Sequence, residues 1–305
     1  MRDLEVILCG TGTSSGIPLI GCRCAVCTSD DPRDRRTRCG ACLRYVDDDG
    51  TPRVVLLDCP PDHREHSLSL GLDRCDGIYF THAHVDHIFG LDDVRRYNAV
   101  QRTPIEIFAE PETMSALERV FQHIFRKQDN VNPSFVADLV PQAIGPGSTV
   151  VRHGLRIEPL RLLHGRLPIL GFRLEAADPD GTPSTDQPAP FPLAYCTDVS
   201  GIPPETWPAL EGLRTLVLDM LRPRNHPTHF TIDQAIDAAT RIGADSTWFL
   251  HMSHEIRHAE LDPQLPPGMR LAWDGVRLGA GPGVGGRDSD PAADASAVAD
   301  GAGGE

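Results

Sequence analysis

Four residues that could bind metal ions stand close together in the segment His-Ala-His-Val-Asp-His, residues 82–87. The apolar residues 78–80 before them are typical of a strand. His82 and His84 alternate in sequence and so face one side of an extended chain, whereas Asp86 and His87 can turn toward a second ion. Imidazole combined with carboxylate suits Zn, Mn or Fe. The segment therefore predicts a metal site at the end of a strand.

This segment, with the Thr before it, resembles the Thr-His-x-His-x-Asp-His signature of the metallo-β-lactamase-fold superfamily. The resemblance implies an α/β fold, an αββα sandwich of two mixed sheets flanked by helices, with a one- or two-metal site on its upper edge. It also implies a His, an Asp and a final His that each end a later strand. The chain supplies them in that order as His164, Asp198 and His251, and Asp58 matches an early Asp that supports the site from behind the ligands.

The same resemblance implies two divalent active-site ions, Mn or Zn, and divides the ligands between them. One ion would be held by His82, His84 and His164, the other by Asp86, His87 and His251, and Asp198 would bridge the two.

A second metal site is indicated near the start of the chain, where Cys22, Cys24 and Cys27 stand within six residues. Three thiols at this spacing can wrap one tetrahedral zinc ion, which normally takes a fourth Cys or a His. The nine cysteines are an odd number and follow no export signal, which argues against a disulfide scaffold. The candidates for the fourth ligand are Cys39, Cys42 and His254.

A narrower resemblance rests on several motifs together: Gly-Thr-Gly-Thr-Ser-Ser-Gly-Ile-Pro at 10–18, the Gly-Cys-x-Cys-x-x-Cys segment, the Arg35-Arg36 pair and a late His-x-Ser-His at 251–254. They resemble the phosphoribosyl cyclic phosphate phosphodiesterase subgroup of the carbon-phosphorus lyase pathway. That subgroup implies a structural zinc held by Cys22, Cys24, Cys27 and His254.

The resemblance also implies a mechanism in which a hydroxide activated by two metals attacks phosphorus and a His protonates the departing oxygen. It places the acid on the loop 222–233, where His229 matches because Asp233 follows it four positions later. His226 is the second candidate for the acid, and the residues alone do not choose between the two. Asp86 is the other residue to which we assign a catalytic role.

Five arginines stand near these motifs. A guanidinium group binds phosphate in a bidentate manner, so the arginines of the 222–233 loop could steady an anionic substrate or could lie on the surface without a role. For those near the cysteines, both structural pairing and a substrate contact stay open. The first group is Arg222 and Arg224, and the second is Arg35, Arg36 and Arg38.

The secondary structure predicted around these residues is mixed α/β. Two stretches, 111–126 and 232–242, have helical spacing, and Thr231 is a candidate N-cap for the second. The Pro-rich residues 175–190 predict a surface hairpin loop. Strand-sized apolar runs occur at 4–9, 53–58, 77–81, 105–109, 155–163, 170–174, 193–197, 215–220 and 247–251.

Composition limits the domain organisation and the partners. The 305 residues are 40% hydrophobic, and from about residue 279 they become rich in Gly, Ala and Asp. We therefore expect one hydrolase domain at 1–278 and a disordered tail at 279–305. No apolar run is long enough for a membrane helix, which favours a cytoplasmic protein without a membrane partner. The net charge of −14 argues against nucleic acid, and a homodimer is left open.

These features favour a metal-dependent phosphodiesterase that hydrolyses a small, cyclic phosphodiester. One alternative is a transfer-RNA 3′-processing nuclease of the same superfamily, but it would need a basic surface that a −14 chain with a single lysine does not obviously offer. A thioesterase or lactonase would keep the metals but has less need of a proton from His229. A non-catalytic metal-binding sensor is a further alternative, although all the expected ligands are present.

Overall fold

A computed structural model describes residues 1–278, in which fourteen strands form two seven-stranded sheets. In chain order the strands are β1 (Arg2–Gly10), β2 (Gly40–Val46), β3 (Pro52–Leu57), β4 (Gly77–Tyr79), β5 (Ile105–Ala109), β6 (Leu139–Ala143), β7 (Val150–Arg152), β8 (Leu155–His164), β9 (Leu167–Ala176), β10 (Leu193–Cys196), β11 (Thr215–Asp219), β12 (Ser246–Leu250), β13 (Met269–Leu271) and β14 (Val276–Leu278).

Both sheets are mixed. The first has the order β14-β1-β2-β3-β4-β5-β6, and its strands from β3 to β6 run parallel to one another. The second has the order β13-β12-β11-β10-β9-β8-β7, and its strands from β10 to β13 are parallel. Each sheet therefore has a parallel half whose strands end at a common edge.

Helices cover the outer faces of the two sheets. The α-helices are α1 (His63–Leu70), α2 (Val85–Ile88), α3 (Arg95–Gln101), α4 (Pro111–Val120), α5 (Gln122–Phe125), α6 (Ile232–Ile242) and α7 (His258–Leu261). Thr231 is the N-cap of helix α6, and its side chain accepts from Gln234 N in a capping box. Gly243 is the C-cap. The helix buries Ala235, Ala238 and Ala239 against the second sheet.

Three hydrophobic clusters follow from this layering. The central cluster joins residues of both sheets, such as Leu57 and Phe172. A second cluster lies between the first sheet and its helices and includes Ile78 and Leu117, and a third lies between the second sheet and α6 and includes Phe249. The order helix, sheet, sheet, helix confirms the predicted αββα sandwich.

Several local predictions differ from the structure. The stretch 111–126 is two helices, because Phe121 between them is buried with a non-helical backbone at φ −106° and ψ 46°. Strands β2, β6, β7, β13 and β14 have no counterpart in the sequence analysis. The predicted hairpin loop at 175–190 overlaps residues 177–192, which connect the antiparallel strands β9 and β10. The predicted tail at 279–305 lies outside the described residues, and no helix within 1–278 combines the length and apolar character needed to cross a membrane.

Candidate metal centre and active site

Polar residues stand where the parallel strands of the second sheet end. Asp198 lies two residues after β10, Asp219 is the last residue of β11, and His251 directly follows β12. These strands are parallel and paired in register. Because the carboxyl ends of parallel strands meet at one edge, the three side chains converge there.

The other predicted residues reach the same edge from β8 and from the first sheet. His164 is the last residue of β8, which is antiparallel to β9 as β9 is to β10, so β8 and β10 run in the same direction. Asp58 directly follows β3, and residues 82–87 follow β4, which is parallel to β3. Six strands therefore end at this edge: β3, β4, β8, β10, β11 and β12.

Three of these strand-end residues have an unfavourable backbone. Asp58, Asp198 and His251 have φ values of 61°, 59° and 61°, in the left-handed region that residues with a Cβ rarely adopt. Such conformations persist only where the surroundings enforce them, and they cluster at functional sites. Half of the six described non-glycine residues with positive φ therefore lie at this edge.

The structure brings all seven sequence-predicted active-site ligands together in two adjoining groups that share Asp198. Within each group the ligand atoms lie within 4.8 Å of one another. Six of the seven side chains are buried, and His84 is exposed. The first group is His82, His84, His164 and Asp198, and the second is Asp86, His87, Asp198 and His251.

Hydrogen bonds on the far side of two imidazoles set their tautomers. Asp58 Oδ2 accepts from His87 Nδ1 at 2.7 Å, and Asp58 also accepts from the backbone N–H and hydroxyl of Thr81. The Thr81 oxygen is then free to accept from His82 Nδ1 at 3.0 Å. In its neutral form each ring therefore carries its proton on Nδ1 and directs the Nε2 lone pair to the centre.

His164 is oriented in the same way by backbone carbonyls. Its Nδ1 lies 2.8 Å from Thr228 O and 3.1 Å from Asp198 O, which can only accept. Burial lowers the pKa of His164 to about 4 and lowers the pKa of His82 well below its usual value. Both imidazoles are therefore neutral near pH 7, which is the form that binds a metal ion.

The donor set fits two divalent cations. The Nε2 atoms of His82, His87 and His251 are buried and have no hydrogen-bond partner among the described residues. A buried polar atom without a partner costs free energy, and an ion at the centre of each group would satisfy all three. Imidazole and carboxylate together suit Zn or Mn.

A buried His–Asp pair adjoins the second ligand group. His229 Nδ1 donates to Asp219 Oδ1 at 3.0 Å, and Asp219 Oδ2 accepts from the backbone N–H of Phe230. The ring of His229 stacks on that of His251 with centroids 4.6 Å apart, and His251 Nδ1 lies 3.3 Å from Asp219 Oδ1. His226 has no carboxylate partner among the described residues and is half-buried. Of the two candidate acids, His229 is thus the one held by a carboxylate beside the centre.

Sequence reasoning missed Asp219. Its strand, β11, is among the predicted strands, and an acidic residue at the end of an apolar run was the available signal. Asp198 and His251 were found because the family resemblance names those positions, whereas Asp219 has no place in the quoted motifs.

The three cysteines of the N-terminal segment meet His254 in the structure. Its Nδ1 lies 3.3, 3.4 and 3.9 Å from the Sγ atoms of Cys22, Cys24 and Cys27. A tetrahedral zinc with ordinary bond lengths would separate sulfur and nitrogen ligands by about 3.5 Å. The Cys27 backbone N–H lowers the pKa of the Cys24 thiol to about 6, which favours the thiolate that binds metal. The other two candidates for the fourth ligand, Cys39 and Cys42, are buried elsewhere.

The arginines left open by the sequence have distinct positions. Arg36 is buried, pairs with Asp34 and donates to Ser253 O, between the two late histidines, so its contacts are structural. Arg38 pairs with Asp62 at 3.2 Å, while Arg35 is exposed.

Both arginines of the loop before His229 face Glu255. Arg224 pairs with this carboxylate at 3.0 Å, and Arg222 lies 3.8 Å from it while also donating to carbonyls of its own loop. Glu255 therefore partly neutralises the charge of both arginines.

The comparison with protein families agrees with this architecture. A family model described as a β-lactamase superfamily domain matches residues 53–252, which contain all seven candidate ligands of the centre. The chain belongs to the metallo-β-lactamase superfamily. This superfamily includes metal-dependent hydrolases among the structural neighbours of the chain.

Relatives of this metallo-β-lactamase superfamily member carry different names. An octanoyltransferase of Porphyromonas gingivalis (strain ATCC BAA-308 / W83) is 35% identical over 279 residues, 90% of this chain and 51% of that protein, so the chain spans about half of this relative. A solved structure described as a new diphosphatase from the PhnP family is 36% identical, with a TM-score of 0.77 and coverage of 90% and 96% of the two chains. Zn²⁺-bound PqqB from Methylobacterium extorquens, 18% identical with a TM-score of 0.67 and coverage of 90% and 99%, shares the fold.

Proposed function

We propose that this metal-dependent hydrolase is a phosphodiesterase for small substrates, cyclic phosphodiesters or diesters of diphosphate, with His229 as the general acid. The observation that carries the proposal is the position of His229. It is held by Asp219 at 3.0 Å and stacked on His251, and so lies directly beside two ligand groups that share Asp198. A two-metal centre with an adjacent acid suits the cleavage of a phosphorus–oxygen bond, because the leaving alkoxide or phosphate needs a proton.

Each group of residues has a defined task in this proposal. The seven ligands His82, His84, Asp86, His87, His164, Asp198 and His251 would hold two divalent ions, Mn or Zn. When bound, such ions polarise the phosphoryl oxygen and lower the pKa of water. Asp58 and Thr81 hold the proton of neutral His87 and neutral His82 on Nδ1, so that the Nε2 atoms are aimed inward.

The protons move through two side chains of this chain. Asp86, at the start of helix α2, is proposed to accept a hydrogen bond from the attacking water and so to orient it. His229 carries one proton on Nδ1, where Asp219 accepts it, and would give a second proton from Nε2 to the leaving oxygen. Asp219 orients the His229 ring and holds its Nδ1 proton during this transfer.

Neither acyl transfer nor RNA processing is favoured by the site. Outside the Cys22, Cys24 and Cys27 group, every cysteine is buried, and the single lysine lies in the 127–129 helical turn, so no accessible thiol or amine adjoins the centre for an acyl-enzyme. The name octanoyltransferase belongs to a protein of about twice this length. The net charge of −14 offers little attraction to RNA.

We also propose a structural zinc at Cys22, Cys24, Cys27 and His254, a cytoplasmic location and a small-molecule partner rather than nucleic acid. The zinc is supported by sulfur–nitrogen distances that match tetrahedral coordination, and the location by the lack of a membrane-spanning helix within residues 1–278.

The test is purification without chelators, elemental analysis, and assays with Mn or Zn added separately. The substrates are bis(p-nitrophenyl) phosphate, a ribose cyclic phosphate, ADP-ribose, precursor transfer RNA and an octanoyl thioester. The proposal expects one firmly held zinc, up to two exchangeable ions, and turnover of the small phosphorus esters alone. Turnover restricted to the thioester or to RNA, or no turnover in the fully loaded protein, would overturn it.

A further inference from the structure

The turn that follows the metal-site residue His164 carries an arginine without a partner. Strands β8 and β9 are joined by only two residues, Gly165 and Arg166, and His164 pairs with Leu167 across the turn. Arg166 is exposed and forms no hydrogen bond or ion pair with any described residue. Since consecutive Cα atoms are about 3.8 Å apart, its backbone lies within about 8 Å of that of His164.

The position of this turn is held by close contacts. Gly165 has φ +65° and donates from its backbone N–H to Ser200 Oγ at 2.7 Å. A Cβ at Gly165 would lie 2.8 Å from Thr228 Cγ2, so the turn packs directly against Thr228 and only glycine fits. Arg166 therefore projects from a rigid base beside the loop that carries His229.

Thr228, against which Gly165 packs, also orients His226. The Thr228 backbone N–H points to His226 Nδ1 at 3.4 Å, and the Thr228 hydroxyl lies 3.1 Å from the same atom. A backbone N–H can only donate, so Nδ1 is the acceptor and the neutral ring carries its proton on Nε2. The half-buried ring of His226 lies 5.1 Å from that of His229.

Among the arginines of the two loops that meet at Thr228, Arg166 is the uncommitted one. Arg222 and Arg224 both face Glu255, whereas Arg166 has no carboxylate partner among the described residues. The residue before this uncommitted arginine and the imidazole of His226 therefore contact the same threonine, which directly precedes the proposed acid, so a guanidinium and an imidazole N–H donor extend from neighbouring positions. Both groups bind phosphate oxygens well.

We propose that Arg166 and His226 form a subsite for the second, non-scissile phosphate of a diphosphate substrate. The inference rests on the proposed function and narrows it, because a phosphodiester with a single phosphate gains nothing from such a subsite. The 36% identical diphosphatase is consistent with a substrate of this class. Arg166 and His226 are specificity residues here, and His229 alone acts on the leaving oxygen.

A binding experiment tests the subsite without turnover. The metal-loaded protein is titrated calorimetrically with AMP and with α,β-methylene-ADP, which differ by one phosphorus group. The wild type should bind the methylene-ADP about tenfold more tightly, and Arg166→Ala should remove this preference because a charged hydrogen bond is lost. Arg166→Lys should retain part of it, His226→Ala should weaken it, and the matched control Arg270→Ala, at another exposed arginine with no described partner, should leave it unchanged.

A kinetic experiment separates this inference from the proposed function. With ADP-ribose, Arg166→Ala should raise KM about tenfold, whereas kcat/KM for bis(p-nitrophenyl) phosphate should change less than about twofold. Equal losses on both substrates, no loss on ADP-ribose, or equal wild-type affinities for the two nucleotides would overturn the subsite. Failure of the wild type to hydrolyse either substrate would contradict the proposed function, and the nucleotide titration would still decide the subsite.

Discussion

Single side chains at the sheet edge act in pairs. Asp58 holds His87 at 2.7 Å, and Asp219 holds His229 at 3.0 Å, so each carboxylate fixes the proton of one imidazole on Nδ1. The first pair prepares a metal ligand and the second prepares the proposed acid. Replacement of His87 should therefore affect metal binding, whereas replacement of His229 should affect proton transfer.

His229→Ala should lose turnover while keeping its metal content, because His229 belongs to neither of the two ligand groups that share Asp198. Loss of a general acid lowers kcat by roughly 10²–10⁴-fold for a poor leaving group such as an alkoxide, and much less for nitrophenolate, which needs no proton. Steady-state kinetics on both kinds of ester, with elemental analysis of the same preparations, measures this. Equal losses on the two esters would count against His229 as the acid.

Asp219→Asn should affect both the acid and the metal centre. Asp219 Oδ1 lies 3.0 Å from His229 Nδ1 and 3.3 Å from His251 Nδ1 while Oδ2 accepts from Phe230 N–H, and an amide has only one acceptor oxygen to serve these two sides. We expect kcat to fall about 100-fold and the affinity for one active-site ion to fall about tenfold. Kinetics and metal titration provide the two readouts. Asp237→Asn, at an exposed position on α6, is the matched control, and similar behaviour of the two variants would refute the role of Asp219.

At the scale of elements, the cysteine cluster ties the N-terminal segment to the strand end that delivers His251. His254 stands three residues after His251, and Thr13 N donates to Met252 O nearby. Zinc at the cluster would therefore hold a long loop against the active-site edge. Such a closed four-ligand site contributes to folding directly.

Cys27→Ser should lower the zinc content by about one ion per chain and the melting temperature by about 5 °C or more, because one thiolate ligand is lost. Elemental analysis and thermal unfolding measure the two effects. Cys196→Ser is a suitable control, since Cys196 is buried in β10 and outside the cluster: it should lower stability without loss of zinc. Unchanged zinc content in Cys27→Ser would exclude the proposed site.

A buried carboxyl, that of Asp274, connects its own segment to two others and makes stability depend on pH. Asp274 accepts from the backbone N–H and hydroxyl of Thr11 and of Thr37, at distances of 2.6 to 2.9 Å. Burial raises the pKa of Asp274 from 3.8 to about 6, although these hydrogen bonds oppose the rise. The folded chain therefore binds more protons than the unfolded chain between these values, and the stability contributed by Asp274 falls as the pH rises from about 4 to about 6.

Asp274→Asn should remove this dependence. The free energy of unfolding of the wild type, minus that of the variant, should decrease by up to about 3 kcal/mol between pH 4 and pH 7, since two pKa units correspond to about that energy. Urea unfolding at closely spaced pH values measures the difference, in which the titration of all other groups cancels. A difference that stays constant or increases with pH would contradict the assignment.

At the scale of the whole molecule, the two ends of the described chain meet in one sheet. Strand β14 pairs with β1, with Leu278 opposite Val6, and buries Val276 and Leu278. The predicted boundary between domain and tail lies directly after this strand. A chain that ends at Leu278 should therefore keep its melting temperature and metal content, whereas one that ends at Asp274 should lose several degrees of stability. If removal of residues 279–305 destabilises the protein as much as removal of β14, the predicted boundary is wrong.

Much of the fold and of the site could be predicted from local pattern. Apolar runs that end in a His or an Asp locate strand ends, and the spacing of residues 82–87 indicates a metal site without any tertiary information. The helix at 232–242 was predictable because its N-cap and its apolar face lie within eleven residues. The short strands β6, β7, β13 and β14 were not, because edge strands of three to five residues carry too few positions to show a period.

Residue order alone indicates which donors exist and which strands end in them. The packing of distant segments settles which donors lie together and which share a proton. His254, and not Cys39, joins the cysteine cluster because its Nδ1 lies 3.3 Å from Cys22 Sγ, 232 residues away along the chain. Asp219 is the partner of His229 because the loop that follows β11 returns to the end of that strand. Gly165, which precedes Arg166, and His226 both contact Thr228 because the turn between β8 and β9 packs against the loop before His229. Local sequence encodes burial and turns, whereas contacts between distant segments depend on how the two sheets pack.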